Sequence, residues 1–152
     1  MKQYWALCYE RIDVFKTYKK CVCEDRPVDK IRKESLPMKL VTHMALANAM
    51  LIILTHGVDY SSIIDKINGI DWALENPIWF NILVTNTKSK KMITKINSLK
   101  QAGKLIAYML IGNKFNAEEV NEVQEDFVMY YNPSDGKSKE FASVVIERFS
   151  AI

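Results

Sequence analysis

Glycine and proline are scarce in this chain, with five and four among 152 residues. So few turn-formers favour a small number of long helices over many short strands. Cysteine is nearly as rare, and Cys8, Cys21 and Cys23 make an odd set of three. No secretory leader precedes them, because Met1-Lys2-Gln3-Tyr4-Trp5 runs straight into a charged amphipathic pattern. A disulfide framework is therefore not expected, and a reduced, cytoplasmic protein is. Cys21-Val22-Cys23, even with His43 or His56, has neither the spacing nor the second cysteine pair of a zinc site, so no metal is expected. The longest apolar run, Met44 to Leu54, is broken only by Asn48. It falls well short of the ~20 residues that cross a bilayer, so it predicts a buried helix and no membrane contact. Catalytic signatures are missing too. No glycine loop cradles a phosphate, and no nucleophile motif stands beside either histidine. Neither an enzyme nor a cofactor is expected.

What is present is ordinary for a globular protein: 49% hydrophobic and 26% charged residues. Without an internal repeat or linker, residues 1–152 read as a single domain. The pattern predicts an all-α bundle of six or seven helices around one central apolar helix. Trp5, Cys8, Ile12 and Phe15 form the stripe of a first helix over 3–19. A polar connector follows, and Pro27 opens a short second helix carrying Lys30, Ile31, Arg32 and Lys33. The central helix spans about Met38 to His56, apolar nearly all round, and is stopped by Gly57. Asp59 or Ser61 caps a fourth helix with Ile63, Ile64 and Ile67 on its buried edge. Residues 80–93 are ambiguous: Ile82, Leu83 and Val84 lean towards strand, and a small β-hairpin turning at Asn86-Thr87-Lys88-Ser89 is one reading. From Lys91 to Ile111 the helical spacing is clear. Asn116 then caps a helix with Val120, Val123, Phe127 and Tyr130 on one face. A turn at Pro133-Ser134-Asp135-Gly136 leads to a last helix, about Lys137 to Ser150, burying Phe141, Val145 and Phe149.

The densest local signal is Ile70 to Trp79. Asp71 is placed to cap a helical turn at Trp72, and Asn76 is pushed out of the helical region by Pro77. Trp72 and Trp79 then meet across the corner with large apolar areas. Asp71, Trp72, Asn76 and Trp79 read as a structural clasp.

Charge is segregated along the chain. Between Asn76 and Ala117 there are seven lysines, Lys88, Lys90, Lys91, Lys95, Lys100, Lys104 and Lys114, and no acid. Between Phe115 and Gly136 there are six acids, Glu118, Glu119, Glu122, Glu125, Asp126 and Asp135, and no base. Two such segments could simply complement each other across the bundle, where each exposed pair contributes little. Alternatively, Lys88, Lys90, Lys91 and Lys95 form a ridge facing DNA phosphates, with Lys30, Arg32, Lys33 and Lys39 as a second basic group. No arginine lies between 88 and 104 to read guanine, and no aromatic interleaves the lysines for base stacking.

Several blocks together resemble the C-terminal helical region of the DNA phosphorothioation-associated, DndB-like proteins that carry a DGQHR motif. They are Tyr4-Trp5, the basic stretch Asp29 to Lys33, His43-Met44-Ala45-Leu46, and Lys88 to Ile111. The most specific is the Ile67…Ile70-Asp71-Trp72…Asn76…Trp79 block. The chain departs from the family at Ala73-Leu74, where a small polar and then a basic residue are usual. It departs again at Thr85-Asn86-Thr87, which replaces a glycine-rich turn. The DGQHR-bearing domain lies outside this sequence, so an excised domain or a stand-alone descendant is expected. The resemblance implies a non-enzymatic accessory or regulatory role in DNA modification or restriction, with DNA or proteins of such a system as partners. A protein–protein interaction module with no nucleic-acid contact is the rival expectation.

Overall fold

The computed structural model describes residues 2–131. Among them it is all-α: seven α-helices and four 3-10 turns, with isolated β-bridges but no strand. The turn at 133–136 and the expected helix 137–150 lie outside the described residues.

The first expected helix is broken in two. α1 (Lys2–Arg11) and α2 (Asp13–Cys23) meet at Ile12, whose backbone is extended (φ −83°, ψ 121°). Asn68 holds the break: its side chain accepts from the Asp13 amide at 2.9 Å and donates to the Arg11 carbonyl at 3.0 Å. The two backbone groups freed by the kink are thus satisfied from a distant turn. The apolar stripe could not reveal this, because Cys8, Ile12 and Phe15 are all buried on either side of the bend. α2 also absorbs most of the stretch expected as a connector. α3 (Asp29–Glu34) starts two residues beyond Pro27, which therefore precedes the helix instead of opening it.

α4 (Leu40–Thr55) follows a 3-10 turn over Leu36–Met38 and is the expected central helix. Gly57 lies at φ +69°, the left-handed conformation that its sequence position predicts. α5 (Tyr60–Ile63) is a single turn capped by the Asp59 carboxylate and runs into a 3-10 stretch over Ile64–Gly69. α6 (Ile96–Ile111) begins five residues later than expected, and α7 (Ala117–Tyr131) completes the described chain. At the start of α7, Asn116 and Glu119 cap each other's backbone N–H at 2.9 and 2.8 Å. Between 80 and 93 there is no hairpin ladder. Single bridges join Val84 to Phe80 and to Met92, and Ile93 donates to the Leu83 carbonyl at 2.8 Å. Ile82, Leu83 and Val84 are buried as a loop plug. Their β-leaning character reflects burial and not pairing.

The core is built where α4 and α6 cross. A Cβ added at Gly103 would lie 2.6 Å from the Asn48 Cβ, 3.1 Å from the Ala45 carbonyl oxygen and 3.2 Å from the Ala49 amide nitrogen. Small residues Ala45, Ala49, Ala102 and Ala107, all buried, let the two backbones approach. The helices run parallel: past the crossing at Gly103, the end of α4 at His56 stacks on Phe115, just beyond the end of α6. α7 runs back along α6, with Glu119 beside His56 and Asp126 beside Gln101 and Lys104. No single helix among the described residues is long and apolar enough to cross a membrane.

Gly103→Ala tests the crossing. Alanine would favour an isolated helix by about 1 kcal/mol. Here the forced separation of α4 and α6 should outweigh that and destabilise the fold by about 1–3 kcal/mol in denaturant titration.

Candidate nucleic-acid interface

The clasp is assembled by hydrogen bonds to two carbonyls. The Trp72 indole N–H donates to the Ile67 carbonyl at 3.0 Å. The Asp71 carbonyl accepts from both the Trp79 indole (2.8 Å) and the Asn76 side-chain amide (3.0 Å). The two rings stack with centroids 5.0 Å apart and planes 3° from parallel. Trp79 is fully buried and Trp72 half-buried. The expected helical turn at Trp72 is absent. The Asp71 carboxylate instead accepts from the Ala73 amide in an Asx-type turn, and Asn76 caps a 3-10 turn over Pro77–Trp79. A bridge from Ser35 to Ala73, with Leu36 donating to the Trp72 carbonyl, ties the clasp to the segment before α4. With both indole N–H groups used internally, these aromatics are committed to structure. Trp79→Ala should lower stability by about 3–5 kcal/mol in a chemical melt, as for a large aromatic removed from a core.

The lysine ridge is not helical. Residues 88–95 form the loop that leads into α6, and Lys88, Lys91 and Lys95 are exposed on it. Lys90 is taken out of the group. Its ammonium sits 3.8 Å above the centre of the Phe80 ring and 3.6 Å from the Glu75 carboxylate, and its side chain is only 16% exposed. Its backbone is left-handed (φ +43°), a conformation that costs a residue with a Cβ about 1–2 kcal/mol. Lys90 therefore closes the loop and does not project from it.

The upstream basic group divides. Lys30 faces a depression shared with Asp13 and Glu34, whereas Arg32, Lys33 and Lys39 line another with Leu40, Met92 and Thr94. That second depression joins the two basic groups, since Met92 and Thr94 alternate with Lys91 and Lys95 along the loop. Asp29 also lines it. The parallel pairing of α4 and α6 puts both helix N-termini at this end. Each follows a lysine, Lys39 or Lys95, with no side-chain cap and no acid in the first turn. Lysine at that position adds to the positive end of the helix dipole instead of offsetting it. Three independent sources of positive potential meet at one end of the molecule: two helix termini, the 88–95 loop and the α3 cations. Sequence reasoning missed the two termini because the parallel direction is not legible in either helix alone.

The acidic helix is partly consumed inside the fold. Lys104 bridges Glu122 and Asp126. Burial works against the Lys104 charge, but the two carboxylates outweigh it and raise the ammonium pKa. Glu119 bonds His56, leaving Glu118 and Glu125 exposed.

The histidines are structural. His43 bonds the Pro37 carbonyl at 2.6 Å between the rings of Trp5 and Phe15. His56 bonds the Ile52 carbonyl at 2.9 Å and Glu119 at 3.1 Å, so both ring nitrogens face acceptors. The Ile52 carbonyl first, and then Glu119, raise its pKa above the ordinary 6.5 against a smaller opposing effect of burial. Glu119 is lowered from 4.5, chiefly by the Asn116 amide. Burial pushes the Cys8 thiol up to about 11, so it stays protonated at neutral pH. Among the described residues, no group of three or more His, Cys, Asp or Glu side chains is placed to hold a metal.

The chain matches no family model, no curated protein and no solved structure.

The His56–Glu119 pair gives a signed pH dependence. A raised imidazole stabilises the fold fully below its unfolded pKa and loses that contribution as pH rises through the folded value. A lowered carboxylate contributes above its unfolded pKa and loses it as pH falls. The pair should therefore help most between the ordinary values of 4.5 and 6.5. The melting temperature should fall as pH rises from about 6 to 8, and His56→Gln should flatten that slope.

Proposed function

We propose that this domain binds the phosphate backbone of duplex DNA through its basic end, as a non-enzymatic, cytoplasmic accessory to DNA modification or restriction. The observation that carries the reading is the joining, by parallel α4 and α6, of two uncapped, lysine-led helix termini to Lys88, Lys91, Lys95, Arg32, Lys33 and Lys39. Lysine ammonium groups and free backbone N–H groups neutralise phosphates without reading bases. The resemblance of the Asp71-Trp72…Asn76…Trp79 block to the DndB-like family supplies the biological setting. Within it the clasp serves to orient the loop that carries Lys88 to Lys95.

The rival reading, a protein-binding module, is weakened for the acidic helix because Glu119, Glu122 and Asp126 already have partners within the fold.

Duplex binding by the full chain across a salt series tests the proposal. Affinity should fall steeply with salt. Lys88→Ala/Lys91→Ala/Lys95→Ala should reduce the log–log slope by about 0.9 for each phosphate that is no longer neutralised. Lys90→Ala should leave the slope unchanged. Absence of binding at low salt would overturn the reading in favour of a protein partner.

A further inference from the structure

The central helix is not covered all round. Leu40 is 74% exposed, Leu51 54%, Met44 48% and Leu54 44%. These residues follow one another at intervals of four, seven and three, which places them in a single stripe along the face opposite the core residues Ala45, Ala49 and Ile53. Isolated exposed leucines are common, but an uncharged stripe running the length of the central helix is not. With no charge on it, the stripe does not suit a polyanion, so it is separate from the basic end.

The chain itself supplies a matching occupant. Residues 132–152 follow the end of α7, and Phe141, Val145 and Phe149 recur there at intervals of four. The direction of α7 fixes where this segment starts. Glu119 lies beside His56 at the far end of α4, and Asp126 lies beside Gln101 towards the start of α6. The helix therefore delivers Tyr131 to the end where Leu40 begins the stripe. From there 132–136, Asn-Pro-Ser-Asp-Gly, can span up to ~17 Å as a turn. A helix over 137–150 would be about 21 Å long, the same as the stripe from Leu40 to Leu54.

We propose that residues 137–150 dock as an amphipathic helix along α4, with Phe141, Val145 and Phe149 covering Leu40, Met44, Leu51 and Leu54. This helix lies parallel to α4 and completes the enclosure of the central helix within one chain.

Peroxide oxidation of Met44 in the full chain, read by mass spectrometry, tests this. Met129, which is 58% exposed, serves as the internal reference. Met44 should oxidise several-fold more slowly than Met129, and Phe141→Asp/Phe149→Asp should bring the two rates together. Equal rates in the unmodified chain would overturn the proposal. So would protection that disappears on dilution as a dimer dissociates, since a second copy would then be the occupant. A second variant removes any dependence on the aspartates being tolerated. Leu51→Cys/Val145→Cys in a Cys23→Ser chain should form an intramolecular disulfide under mild oxidation. Only intermolecular disulfides, or none, would overturn the proposal.

Discussion

The close approach of α4 and α6 is the contact on which the rest of the fold depends. Gly103 leaves no room for even a methyl group between them, and the surrounding alanines keep the two axes close along the crossing. Small residues bury little area each. They gain their stabilising effect by letting larger neighbours pack from both sides, and Leu46, Leu99, Ile106 and Leu110 do so. Because the pair is parallel, its two positive helix ends coincide, and so do its two carbonyl-rich ends. The basic face and the His56–Phe115 stack are opposite consequences of that one arrangement.

Much of this was legible in the residues. The apolar run around Met44 to Leu54 identified the central helix, Gly57 its stop, and Asn116 with Glu119 the start of α7. What eluded the sequence depended on contacts between distant segments. Asn68 breaks the first helix at Ile12 from 56 positions away, counted along the chain, so no local pattern around Ile12 announces it. Ile82, Leu83 and Val84 read as strand because buried loops and buried strands select the same side chains. The apolar face of α4 looked like full burial, although a run of this kind records only what the complete protein covers.

The charge pattern shows a similar division between composition and placement. Seven lysines without an acid between 76 and 117 suggested one continuous ridge. In the fold, Lys90 turns inward onto Phe80, Lys104 pairs with α7, and Lys88, Lys91 and Lys95 remain on the loop. Opposite charges that complement each other and charges that await a ligand coexist in the same block. Only packing separates them. The clasp residues Asp71, Trp72, Asn76 and Trp79 were readable as a unit because their chemistry is local, with partners five and eight residues apart along the chain.

Parallel neighbours in a helical bundle cannot be joined by a short turn, and that affects how the chain reaches its fold. The bond between Asn48 and Leu99 closes a separation of 51 residues, and that between His56 and Glu119 closes one of 63. Up-and-down bundles assemble from adjacent helices with little loop to close. Here the central pair cannot form until the stretch from 57 to 95 has been gathered between its members. The entropy of that closure is met before the core contacts offset it. The clasp lies midway along this stretch, where a compact local unit shortens the effective loop. In kinetic terms the protein belongs with mixed or β-rich domains, despite being entirely helical in its regular structure.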